Sequence, residues 1–406
     1  MPADQRLLRK NILLFSLYFL VMFAAMGVIQ PFLTLHFKAI GFSGVQIGSL
    51  IVVSSLVLIF SAPQYGLLFD NSRHKKRTLL ISAVILTIAL FFVPFLRSYG
   101  LVLFFYTIFR VVNSSSVSAT ENLSYQVSAS ADQQQKPAFG SLRLWGSIGF
   151  GVTAIIGGKI YEQSGIMLDN WLFLGLMAFS ILILLVMPES LFRNHQPEQP
   201  EASRLSMGGI LKLIFSDRFL LLTVIALAIT DTLNDGIRSF EPIYMQELQL
   251  TEGTIGLAAT LSALFEVPFM FWSDRLIEKF GIRKIVLFIF VFDLVRRLAV
   301  WFFPVGWVVF AMSVATCVSF TLRLVSTIYL VNLCIPQQYT TTAITFISVT
   351  LNGASHILSN AISGVVYDVY GGRELYLMSA ILCLVSLGIA LAAGQPKAKI
   401  DMKEPA

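Results

Sequence analysis

Twelve ionisable side chains stand inside stretches that are otherwise apolar: the arginines Arg110, Arg143, Arg238, Arg296, Arg297 and Arg323, and the carboxylates Glu121, Asp231, Asp235, Glu241, Glu266 and Asp293. Six cations against six anions make a neutral inventory. A charge at the centre of a bilayer costs at least ~2.5 kcal/mol, so such residues face a bundle interior or an aqueous cavity, where they mark a solute or ion path or tie helices together. The chemistry open to them is binding and proton exchange. Bond-making has no apparatus here: there is no HExxH and no GxxxxGK[ST] loop, and four histidines and three cysteines are too few for a zinc or haem site. The chain therefore reads as a non-enzyme without cofactor or metal, with an ion gradient as its suspected energy source.

The spacing of these residues places them on helix faces. Arg110 and Glu121 are eleven residues apart, close to three turns, and share a face with Asn113, Ser114 and Ser118. That face is polar over its whole length, as a cavity wall would be. Arg143 sits in FGSLRLWGSIGFG (139–151), where glycines permit close helix packing. Its depth matches that of Glu121 in the antiparallel neighbour, so the two are expected to pair. Asp231, Asp235 and Arg238 fall at i, i+4 and i+7, with Glu241 a turn further on. Asp293 has Arg296 and Arg297 at i+3 and i+4, so a local ion pair is expected. Glu266 has no basic residue one turn away in the sequence, which marks it as the carboxylate whose pKa burial would raise into a working range. His356 reads more readily as a packed helical histidine than as a proton relay. The proton-coupling candidates are thus Glu266, Asp293, Arg297, Arg323 and His356, the arginines as countercharges because a guanidinium does not give up its proton.

Composition dictates the elements that must hold these residues. With 56% hydrophobic residues, 13% charged residues and a mean hydropathy of +0.77 over 406 residues, the chain is a polytopic membrane protein. Apolar windows of about 20 residues, enough to cross a ~30 Å hydrocarbon core, fall at 11–37, 44–69, 76–96, 99–128, 137–161, 170–188, 219–246, 253–273, 282–303, 306–334, 340–367 and 372–393. The first is too long for a cleaved signal peptide and is expected to be retained. The predicted fold class is an all-α membrane protein, twelve transmembrane helices in two pseudo-symmetric six-helix bundles. The bundles are expected over 1–188 and 217–406, with a cytoplasmic linker at 189–216 carrying a short interfacial helix within ILKLIFSDRFL.

Lysine and arginine number 19 on the side that holds both termini and 4 on the other, which places the termini in the cytoplasm of an inner-membrane protein. The same distribution accounts for the net charge of +6 by loops rather than by a basic nucleic-acid face. Expected partners are a small-molecule solute and the lipid bilayer, with no nucleic acid, and the chain is expected to be a monomer. The halves echo each other: GGKIYEQSG and SGVVYDVYGG share G-x-x-Y-[ED]-x-x-G at an offset of 206, and VQIG and GTIG recur at 208. Matching offsets of half the chain are the mark of duplicated transporter halves.

The pattern F-G-x-x-R-x-x-G-x-x-G-[WF] at 139–150, preceded by a carboxylate on the previous span, resembles the lactose permease and phenylpropionate permease branch of the major facilitator superfamily. The resemblance implies the major facilitator fold and a substrate-binding role for Arg143 and Glu121. Phe150 stands where that branch carries its sugar-stacking tryptophan, and the spacing from Glu121 to Arg143 is longer, departures that weigh against a galactoside. Gly66, Asp70 and Arg73, with Asp274 and Arg275 in the second half, resemble the superfamily's conformational latch. Where lactose permease carries its proton-handling His and Glu, Phe320 and Arg323 stand here. The implied function is a secondary active transporter moving a small polar or anionic organic solute, sugar-like or an aromatic acid, by alternating access with proton symport. The alternatives are a solute/proton antiporter or a non-transporting sensor of the same fold.

Overall fold

A computed structural model of the chain describes residues 3–129, 139–192, 217–335, 344, 347 and 352–395. Helix α1 (Ala3–Ile29) and α2 (Leu33–Ala39) form one span, joined by a single 3-10 turn at Gln30–Phe32, where Pro31 withholds a backbone donor. There follow α3 (Gly44–Asn71), α4 (Lys75–Phe92), α5 (Tyr99–Ala129), α6 (Phe139–Ser164) and α7 (Ile166–Val186). The second series is α8 (Arg218–Glu247), α9 (Glu252–Phe280), α10 (Ile282–Phe302), α11 (Gly306–Cys334), α12 (Asn352–Tyr370) and α13 (Gly372–Ala392). Among the described residues nine of these spans are long and apolar enough to cross a membrane on their own account. α10 is not one of them, because Arg283, Lys284, Asp293, Arg296 and Arg297 interrupt its apolar run. The chain separates into two compact units, Met1–Pro197 with Met245–Leu264, and Glu198–Tyr244 with Phe265–Ala406.

Local chemistry sets the helix ends. Ser43 opens α3 with a reciprocal cap: its hydroxyl accepts from the Gln46 backbone at 3.1 Å while Gln46 accepts from the Ser43 N–H at 3.0 Å. Asp217 opens α8 by accepting from the Leu220 N–H at 2.9 Å. Residues 218–220 of the expected interfacial segment are thus the first turn of α8; its earlier part, 210–216, lies outside the described residues. α7 begins four residues before the expected start of its span. Asp169 and Asn170 depress the local hydropathy, yet both are buried.

The repeat seen in the sequence is a repeat of geometry. Gly165 precedes α7 at φ 67°, ψ −177°, and Gly371 precedes α13 at φ 87°, ψ 177°. Each donates its N–H to a tyrosine carbonyl four residues back, Tyr161 at 2.8 Å and Tyr367 at 3.0 Å. A side chain at either φ costs about 1–2 kcal/mol, which is why glycine stands at both. Each tyrosine ring stacks on a phenylalanine of its unit's first span, Phe32 on Tyr161 at 5.6 Å and Phe240 on Tyr367 at 4.9 Å between centroids.

Within the first unit α1 packs along α6 and α7. The α1–α6 crossing is so close that a Cβ on Gly149 would overlap the Leu20 carbonyl, and one on Gly27 would overlap that of Phe150. Thr153 on α6 donates to the Ala24 carbonyl at 2.7 Å. The second unit repeats the arrangement between α8 and α12, where the Gly236 N–H donates to Ser359 Oγ at 2.7 Å. Without a hydrophobic drive between helices in lipid, such backbone approach is what holds them together. Gly149→Ala is expected to force α1 from α6 and to cost ~1–3 kcal/mol. Thermal denaturation in detergent checks it, with Gly175→Ala, which has open space around it, as the variant that should melt unchanged.

Candidate functional site

The charged residues gather in the second unit. Asp293, Arg296 and Arg297 lie on one face of α10 at helical spacing and are buried to 1%, 2% and 0% exposure. Asp293 forms ion pairs with both neighbours at 3.7 Å and accepts a hydrogen bond from Arg323 of α11, whose Nη2 stands 2.9 Å from its Oδ2. The same Arg323 makes an ion pair with Asp231 of α8, both residues 13% exposed. Arg297 reaches Asn234 Oδ1 at 3.2 Å and contacts the Cys383 thiol of α13. Arg296 donates to the Met312 carbonyl at 3.1 Å. Glu241 of α8 accepts from Ser313 at 2.7 Å and from the Tyr376 hydroxyl at 2.6 Å, and Arg296 lies within electrostatic reach of that tyrosine.

Three carboxylates thus offset three guanidiniums across α8, α10, α11 and α13. Taking each ion out of water costs several kcal/mol, and a partner at about 4 Å returns about 4 kcal/mol at an effective dielectric of 20, so the cluster is held only while every member is present. Bonding is incomplete even so: the Nε of Arg296, Arg297 and Arg323 and one oxygen of Asp293 are buried without hydrogen-bond partners. Beside the Arg323–Asp231 pair opens a cavity of about 150 Å³, lined also by Phe320, Thr327, Leu227 and Ile347. The Arg238 guanidinium, exposed, lies over the Phe320 ring at 5.8 Å. A few polar groups, here the ion pair and Thr327, on a mostly apolar wall are the usual composition of a small-molecule site.

Other candidates are placed as follows. Asp235 is half-buried on α8 and engaged in polar contact. On α5, Arg110, Asn113 and Glu121 are half-buried, Ser114 and Ser118 exposed, so one face of α5 is polar as expected; Glu121 has an interaction of its own. The side chains of Arg143 and Asp70 lie outside the described residues, and with them the Glu121–Arg143 pair and the acid of the latch. Phe150 is half-buried on α6. Gly66 is half-buried, whereas Arg73, Asp274 and Arg275 are exposed. Glu266 is half-buried on α9, interacts, and lies within electrostatic reach of the Cys317 thiol; its lack of a cation nearby in sequence is not isolation in space. His356 is half-buried and engaged on α12.

Sequence reasoning missed two features. Lys76, the first residue of the window 76–96, donates to the Leu185 and Met187 carbonyls at 2.7 Å each and closes the C-terminal end of α7. Asn234, Ser313 and Tyr376 complete the charge network, and no local signal distinguishes them from other polar helix residues.

Two series of apolar helices with ionisable side chains gathered beside a cavity define an integral multi-pass membrane transporter. The chain belongs to the MFS_1 like family, whose sequence profile matches residues 12–378. It is 26% identical over 380 residues to the maltose permease of Geobacillus stearothermophilus, covering 93% of each chain. To the uncharacterized transporter YwbF of Bacillus subtilis (strain 168) it is 22% identical over 376 residues, 92% of this chain and 91% of the other. Among solved structures, nucleoside transporter NupG is similar with a TM-score of 0.80 at 16% identity, covering 95% of this chain and 100% of that one. A bacterial homolog to the human lysosomal transporter Spinster, inward-facing and unoccupied, gives 0.71 at 11% identity over 95% and 96% of the two chains. At these identities the structural likeness is one of fold, the all-α, twelve-helix major facilitator fold.

Proposed function

We propose that this transporter is secondary active, moving a small polar or anionic organic solute by alternating access in symport with protons. The observation that carries the reading is Arg323, shared between Asp231 and Asp293 on the wall of a cavity. A guanidinium presents five donors in a rigid fork, suited to a solute carboxylate or vicinal hydroxyls, and the buried carboxylates hold its charge in place. Permeation of a hydroxyl-rich solute agrees with the names of the relatives, a maltose permease and a nucleoside transporter. Asp231, Asp235 and Arg238 supply further polar contacts in the second half, and Glu121, Arg143, Arg110 and Asn113 in the first, where Phe150 offers an apolar surface. Arg297 and Arg323 act as countercharges for Asp293. The bias of basic residues orients both termini toward the cytoplasm of an inner membrane.

Thermal-shift screening against maltose, uridine and benzoate finds the solute class, since a ligand stabilises the folded state by mass action. Uptake of the stabilising solute into proteoliposomes, with and without an imposed pH gradient, then tests the reading. Binding without flux would make the protein a sensor, and flux indifferent to the gradient would remove the proton. In the same assay Arg143→Lys is expected to lose affinity about as severely as Arg143→Ala, because an ammonium does not replace a bidentate fork. Affinity retained in both variants would take Arg143 out of the solute site.

A further inference from the structure

Asp169 stands in the first turn of α7 and is absent from every role assigned above. It is 0% exposed, and neither carboxylate oxygen has a hydrogen-bond partner among the described residues. Asn170 beside it is also 0% exposed; its Nδ2 donates to the Phe91 carbonyl of α4 at 2.9 Å, which leaves its Oδ1 unbonded. One buried turn therefore holds three acceptor oxygens and offers them no donor. Among the described residues no cation pairs with the charge either. α7 packs against α1, α4 and α6, and the ionisable group facing Asp169 from these helices is Tyr161 of α6, itself within electrostatic reach of Glu252 of α9. Both are acidic groups. The buried imidazole of His36 on α2 interacts with Arg97 and forms no ion pair with Asp169.

An ionised carboxylate left unpaired in a dry interior costs more than any side chain at this position returns, and neutralisation by a proton is the ordinary escape. A proton also changes the bonding count, since it turns one surplus acceptor into a donor. We infer that Asp169 is a proton-binding site of the N-terminal unit, carrying its proton at neutral pH in this conformation and exchanging it during transport. The second clause rests on the proton-coupled reading above; the first does not.

Infrared spectroscopy of the full-length protein at pH 7 tests the protonated state directly. A carbonyl band of a protonated carboxyl group is expected in the wild type and absent from Asp169→Asn, which mimics the neutral acid and should melt at the wild-type temperature. Should the Asn variant fail to fold, Asp169→Glu keeps a titratable group and is expected to shift the same band. Spectra unchanged in the carboxyl region by either substitution would overturn the assignment. For the transport clause, a gradient of one pH unit drives about tenfold accumulation when one proton accompanies each solute. Wild-type proteoliposomes are expected to reach this with at least one of maltose, uridine and benzoate, and Asp169→Asn to exchange the same solute without accumulating it. Accumulation by the variant would remove Asp169 from coupling, whereas wild type that ignores the gradient would instead defeat the coupled-transport reading.

Discussion

Asp293→Ala is expected to unfold the C-terminal unit well below the wild-type melting temperature. Asp293 is the carboxylate on which Arg296, Arg297 and Arg323 converge, at 3.7, 3.7 and 2.9 Å. Breaking one buried pair by deleting a partner costs about 3–5 kcal/mol, because the other charge is left uncompensated, and here three arginines lose the same partner. Asp231 and Glu241 cannot make good the loss: Asp231 already holds Arg323, and both Glu241 oxygens accept hydroxyls. Removing a cation as well should recover part of the stability, so Asp293→Ala combined with Arg297→Met is expected to melt higher than Asp293→Ala alone. Melting curves of the purified variants in detergent decide it. A single variant with wild-type stability would mean that water, and not Asp293, holds these arginines.

Arg323→Lys is expected to keep the fold and lose transport. The charge that Asp293 and Asp231 require is retained, so stability should fall far less than with Arg323→Ala. What disappears is the fork that lets one side chain hold Asp293 at 2.9 Å and pair with Asp231 on the wall of the cavity. One charge-assisted hydrogen bond is worth about 1.5–3 kcal/mol, or roughly 10-fold to 150-fold in affinity. Solute exchange across proteoliposomes measures it, with the melting temperature recorded beside it. Exchange within twofold of wild type would show that the cavity beside Arg323 does not bind solute.

Much of this protein could be read from the chain because a bilayer punishes departures from simple rules. Backbone groups must be satisfied within each helix, so apolar windows locate the spans, and the charges that interrupt them stand out. The helical period placed Arg296 and Arg297 beside Asp293, and the spacing of Tyr161 from Gly165 and of Tyr367 from Gly371 carried the duplication into matching φ values and ring stacks. These are relations within one helix or between two copies of one motif, and both are written along the sequence.

Relations between helices are not written there. That Arg323 lies between Asp231 and Asp293, that Asn234 and Cys383 meet Arg297, and that Glu241 is held by Ser313 and Tyr376 depends on which helix packs beside which. Hydropathy is blind to this, since it scores each span by itself and not by its neighbours. The same blindness made Glu266 look isolated when it interacts, and left Asp169 just outside the window 170–188 when it is wholly buried. Sequence spacing reports neighbours one turn away. Burial and ion pairing are set by neighbours on other helices, which only the packed bundle brings within a few ångströms.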